Sequence, residues 1–213
     1  MRLWTTQGIE IYDQLKQNGI AYCTKPLWGD NPEFMYAYRW IARQMQQRIG
    51  NPPIEGIEYP IWAWYQYDCA KKKQPPRSPN VVPEGISAYM QIEVPDNEVL
   101  LSDFDLWNAV LNQSQTDDWN KIEKIQTELE KEAGRKLEFS EYPQPLKEWI
   151  EKTWEVIFNL DRRGKGVSHK RNRSIQATLW ALKTEHIISV EFLKHDGDVV
   201  KQIEYLPKPS GKG

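Results

Sequence analysis

The stretch Tyr59-Pro60-Ile61-Trp62-Ala63-Trp64-Tyr65-Gln66-Tyr67 constrains the fold most, because five of its nine residues are aromatic. With the two-residue period of a strand, Trp62, Trp64 and Gln66 share one face and Ile61, Ala63, Tyr65 and Tyr67 the other. Both faces carry large apolar area, so the stretch is predicted to be a central strand covered on two sides. Only 39% of the 213 residues are hydrophobic, and ten tryptophans make up for the modest aliphatic count. Each can bury on the order of 150–250 Å².

Around that strand the hydrophobic period switches between two and 3.6. Arg2 to Gln7 reads as a first strand, and Ile9 to Asn18 as a helix stopped at Gly19. Glu33 to Ile49 places Phe34, Tyr38, Ile41, Met45 and Ile49 on one helical face. Ser87 to Val94 alternates as a strand with one wet face, and Glu98 to Leu101 follows as a short strand. Ser102 is expected to cap the next helix, with Asp103 and Asp105 in its first turn. Asp117 to Ala133 and Leu146 to Phe158 are two further amphipathic helices. Ile175 to Ala181, Ile187 to Leu193 and Val199 to Leu206 are predicted closing strands, the last two joined by a turn at 195–198. The expectation is one α+β domain over 1–213 with a mixed or antiparallel sheet, a helical insertion near 102–158 and a tail at 207–213.

A net charge of -2 gives no whole-molecule attraction to nucleic acid or anionic membrane, so such binding would need a local patch. Cys23 and Cys69 are read as two buried thiols. The three histidines do not fall at metal-ligand spacing, so no metal site is expected. No run approaches a membrane span and Met1 to Thr5 has no apolar signal region, which predicts a cytoplasmic protein with no membrane partner.

No nucleophile elbow, zinc-protease, P-loop or dinucleotide-fingerprint motif is present. Four weaker constellations remain. Arg162, Arg163, Lys165, Lys170, Arg171 and Arg173 put six cations in twelve positions, interleaved with Gly164 and Gly166, which suits phosphate binding or a solvated loop. Gln176, Thr178 and Trp180 would line one strand face beside that loop, where ordinary outward-facing residues would look the same. Asp103, Asp105, Asp117 and Asp118 could do acid–base work, although capping explains the first two. Trp4, Trp62, Trp64 and Trp180 offer either core or a stacking platform. A basic, proline-rich stretch from Lys71 to Gly85 reads as an exposed loop or lid.

Four blocks in this order resemble the bacterial family known as domain of unknown function 3841. They are Leu3-Trp4-Thr5-Thr6-Gln7, Tyr59 to Tyr65, Leu100 to Trp107, and Ile175-Gln176-Ala177-Thr178-Leu179-Trp180. A looser likeness is to the ADP-ribosyltransferase fold, whose DNA-modifying members carry a late strand similar in shape to Ile175–Thr178. That likeness implies NAD as a possible cofactor and Arg2, Gln7, Tyr65 and Gln176 as nucleotide-site residues. Thr178 stands where the catalytic glutamate would be. A nucleotide- or nucleic-acid-binding domain is therefore expected, with ADP-ribosyltransferase-like activity on NAD as what the looser likeness implies. Trp64 and the six cations are added to the ligand-binding set, and Gln176 and Thr178 are the catalytic candidates. The alternatives are a non-catalytic nucleic-acid module and a protein adaptor using a tryptophan-rich surface.

Overall fold

The computed structural model runs β1 (Arg2–Gly8), α1 (Ile9–Asn18), β2 (Ile20–Ala21), α2 (Pro32–Ile49), β3 (Ile61–Gln66), β4 (Gly85–Glu93), β5 (Leu100–Asp103), α3 (Phe104–Leu111), α4 (Trp119–Ala133), α5 (Gln144–Trp154), β6 (Ile175–Leu179), β7 (Leu182–Lys183), β8 (Ile187–Asp196) and β9 (Val199–Ile203). The structure describes residues 1–25, 31–70, 85–163, 169–196 and 199–204. An antiparallel sheet of seven strands in the order β5-β6-β3-β1-β4-β8-β9 carries the fold, and β2 and β7 form a separate pair. The architecture is α+β.

The aromatic strand β3 is central, between β6 and β1. Its Ile61 and Ala63 belong to a core with Leu3, Ala88, Met90, Ile92, Ala177 and Leu179, which α1 closes through Leu15. On the other face Trp62 packs against Trp107 of α3 at 4.8 Å between ring centroids, and Tyr38 of α2 meets both rings edge-on. A larger core of Trp40, Ile41, Met45, Ile122, Ile150 and Trp154 lies in this second helical layer. Most of the tryptophans with described side chains thus serve as packing volume, as the scarcity of aliphatics requires.

The structure corrects four local expectations. Ser102 does not cap a helix: it lies in β5, and Asp103 is the cap, its side chain accepting from the Asp105 and Leu106 backbone N–H groups. Gln66 does not share a face with Trp62 and Trp64, because the register shifts between Trp64 and Gln66 and aligns Gln66 with Ile175. Such a bulge re-aims the residue that follows it. Trp180 leaves the sheet after Leu179, is buried, and donates its indole N–H to Gly50 O at 2.9 Å. The cysteines are not two buried thiols: Cys23 is half-buried and Cys69 is exposed. Cys69 sits at the tip of a tight turn in which Asp68 and Cys69 both adopt positive φ, 47° and 59°.

Candidate functional site

Antiparallel pairing gathers Gln66 at the end of β3, Ile175 at the start of β6 and Asp103 at the end of β5 into one row at one end of the sheet. Arg2, at the start of β1, stands at that same end and is exposed. The row is tied together by buried polar groups. Asp103 is 1% exposed and splits its carboxylate between two tasks. Oδ1 caps α3 at 3.1 and 3.2 Å, and Oδ2 accepts from Arg162 Nη2 at 2.7 Å, with Arg173 Nε 3.8 Å away. Arg173 is itself buried and donates to Leu160 O and Arg162 O, each at 3.0 Å. Gln66 donates through Nε2 to Lys170 O at 3.2 Å and Arg173 O at 2.5 Å.

Two guanidinium groups thus share one buried carboxylate. Burial, and then the charge of Arg162, pull the Arg173 guanidinium below its ordinary value, while Asp103 opposes them. The corner fixes the positions from which Arg163 and Lys170 depart. Arg163 is exposed, and Lys170 pairs with Asp161 at 3.5 Å.

One residue further into the sheet the chemistry changes. Trp4, Trp64, Gln176 and Ser102 stand side by side in register across β1, β3, β6 and β5. Trp64 is half-buried, with Tyr67 and Phe104 packed edge-on at 5.0 and 5.1 Å. Phe104, from the first position of α3, thereby meets a ring of β3 from beyond the intervening strand β6. In this strip the Ser102 hydroxyl and Gln176 Oε1 are enclosed and have no hydrogen-bond partner, and the Trp62 indole N–H, two residues further along β3 on the same face, is in the same state.

The sequence-predicted residues therefore divide. Trp64 and Gln176 stand in one row, and the corner built from Arg162 and Arg173 is held on Asp103 of the adjacent row. Gln7 and Tyr65 alternate onto the opposite face: Gln7 Nε2 donates to Thr5 Oγ1 and Trp62 O, and Tyr65 packs against the α1-side core. Thr178 is fully buried and its hydroxyl donates to Leu100 O at 3.3 Å, which takes it out of reach of a substrate. Arg173 is an internal strut and not a loop cation. Lys165, the Arg171 side chain and the stretch 71–84 lie outside the described residues. Among the described residues no group of His, Cys, Asp or Glu could hold a metal ion, and no helix is long and apolar enough to cross a membrane.

A family model with the description Domain of unknown function (DUF3841) matches residues 2–188. The chain belongs to that family. The matched span contains all of β1 to β7 and the five helices, and so both the paired corner and the unpaired strip of this DUF3841 protein. No curated protein and no solved structure matches the chain. Sequence reading of the DUF3841 chain missed Ser102 and the buried role of Asp103. A serine in an apolar strand, Leu100-Leu101-Ser102, was the available signal for the first.

Proposed function

We propose that this DUF3841 domain binds a nucleotide or nucleic acid at the strand ends of β3, β5 and β6, with NAD as one ligand. One juxtaposition carries the reading. A half-buried ring (Trp64) and a carboxamide whose oxygen lacks a partner (Gln176) stand in one row at this end of the sheet, and a guanidinium corner (Arg162, Arg173) is held on Asp103 of the adjacent row. Stacking on a ring is worth about 1–3 kcal/mol per base, and phosphates are held by cations and backbone N–H groups near the corner. An adaptor reading has less support. The large hydrophobic residues exposed among those described are Ile54 in the α2–β3 connection, Trp119 in α4 and Ile188 in β8.

Transfer chemistry of the ADP-ribosyltransferase type rests on resemblance alone, since Thr178 occupies the glutamate position and its hydroxyl is engaged. Titration with NAD, mononucleotides and short oligonucleotides tests the proposal. Binding that weakens when Arg163 and Lys170 are both changed to Ala supports it. Absence of a response to every member of the set overturns it. Salt separates the ligand types, because a nucleic acid held through several phosphates loses affinity steeply between 50 and 200 mM salt. Release of nicotinamide from NAD would identify catalysis.

A further inference from the structure

A cavity of about 370 Å³ opens where β4 ends and the turn after β7 returns to the sheet. Glu93, Glu98, Glu185 and His186 line it against an apolar wall of Met1, Val94 and Pro95. Glu93 is the cross-strand partner of Arg2, so the cavity lies at the same end of the sheet as Asp103, with β1, β3 and β6 between them. Glu98 is engaged, both its oxygens accepting from Lys183 Nζ at 3.0 and 3.1 Å. The Met1 ammonium is engaged too, on Val94 O at 2.5 Å and Asp96 Oδ1 at 3.0 Å. Glu93 and Glu185 are exposed and, among the described residues, pair with no cation, Arg2 included. His186 is a separate observation. It is 3% exposed, and its Nδ1 accepts from the Lys183 backbone N–H at 3.2 Å. The proton of the neutral ring is therefore on Nε2. That N–H makes no hydrogen bond, because Glu98 Oε2 is 3.9 Å away. Unlike the Ser102 hydroxyl it is not closed off, and its ring borders a space that a ligand can enter.

We propose that this cavity binds a small organic cation carrying a carbonyl or hydroxyl acceptor a few bonds from its charge, such as the amide of a basic amino acid. Glu93 and Glu185 hold the cation, His186 Nε2–H donates to the acceptor, and Met1, Val94 and Pro95 cover the hydrocarbon between them. The cation is organic, because among the described residues no group of His, Cys, Asp or Glu could hold a metal ion. Two free carboxylates attract any cation, and the histidine donor supplies the selection. A plain amine offers it nothing to bond, and an anion meets the carboxylates first. The volume is at the small end of the range of about 300–1,000 Å³ for ligand pockets, which suits a ligand the size of an amino acid. The site stands apart from the nucleotide reading, since its charge has the opposite sign and its residues are different.

The test titrates the full chain with argininamide and, as a cation without an acceptor, butylamine, and follows the backbone N–H resonances by NMR. Wild type is compared with the double variant Glu93→Gln/Glu185→Gln, both at exposed positions where the fold tolerates the change, and with His186→Phe. Argininamide should move the resonances of Val94, Glu185 and His186 in wild type. Its affinity should fall about tenfold in the double variant. His186→Phe should weaken argininamide about fivefold and leave butylamine unchanged. Shifts spread over the acidic surface of the whole molecule, or equal argininamide affinity in wild type and the double variant, reduce the site to general attraction of cations and overturn the proposal. Equal loss of both probes in His186→Phe gives the ring a structural role and overturns it as well. So does the absence of any shift up to about 10 mM argininamide, a concentration that detects even millimolar binding. None of these outcomes bears on nucleotide binding, which its own titration decides.

Discussion

Ser102 and Asp103 are consecutive residues of one strand, each 1% exposed, and their surroundings are opposite. Asp103 uses both carboxylate oxygens, one on the α3 cap and one on Arg162, and Arg173 from the segment before β6 completes the set. Ser102 and its partner Gln176 place polar atoms inside the protein and pair neither. Polar groups buried with partners hold elements in place, whereas polar groups buried without them weaken the fold. The boundary between the two regimes falls between adjacent rows of the same sheet.

The paired side is broken by Asp103→Ala. The change removes the α3 cap and leaves the buried Arg173 and the half-buried Arg162 without their carboxylate. Breaking a buried pair of this kind costs about 3–5 kcal/mol, and chemical denaturation should show the midpoint falling accordingly. A loss below about 1 kcal/mol, the size typical of an exposed ion pair, would mean that the corner is not a structural unit. The unpaired side should respond with the opposite sign. Without ligand, Ser102→Ala and Gln176→Leu should be neutral or stabilising by about 1 kcal/mol, because each removes a group that lacks a partner. Thr178→Val sharpens the contrast within Gln176's own strand. Thr178 does have a partner, Leu100 O at 3.3 Å, so its loss should cost about 0.5–1.5 kcal/mol by the same denaturation measurement.

How much of this was legible in the sequence follows from the range of each interaction. The aromatic run announced a central strand, and β3 is one, because side-chain alternation is a local property. The α2 and α5 stripes were legible for the same reason, as was Asp103 in the start of α3. The Arg162–Asp103 contact spans 59 positions and the Gln66–Arg173 contact 107, and no local pattern encodes either. Arg173 therefore read as one of six loop cations. The bulge after Trp64 inverted the expected direction of Gln66, and a single inserted residue leaves no periodic trace. Ser102 was mistaken for a cap because Ser followed by Asp-x-Asp looks like a helix start in either register. Gln176 was read correctly as a polar strand residue, but that it lacks a partner is visible only once β5 and Trp64 are set beside it.

His186 stands between the two regimes and gives the smallest effect. It is 3% exposed, its Nδ1 accepts from the Lys183 backbone N–H at 3.2 Å, and Nε2 meets Glu98 only at 3.9 Å. Burial, the largest influence, lowers its pKa. Glu98 opposes that, Lys183 adds to it, and Glu185 opposes it. A histidine with a folded pKa below its unfolded value near 6.5 binds more protons when unfolded, so stability rises with pH. The contribution is complete above about pH 6.5 and is lost as the solution is acidified through the lowered folded value. Denaturation midpoints at pH 7.5 and 5.5 should thus fall on acidification in wild type, and His186→Phe should flatten that slope. The partial pairing explains why the effect is smaller than at Asp103: Glu98 already offers the protonated ring a counter-charge, and only its distance keeps the ring from gaining a full partner. A variant whose midpoint falls as steeply as wild type would place the acid sensitivity in other groups.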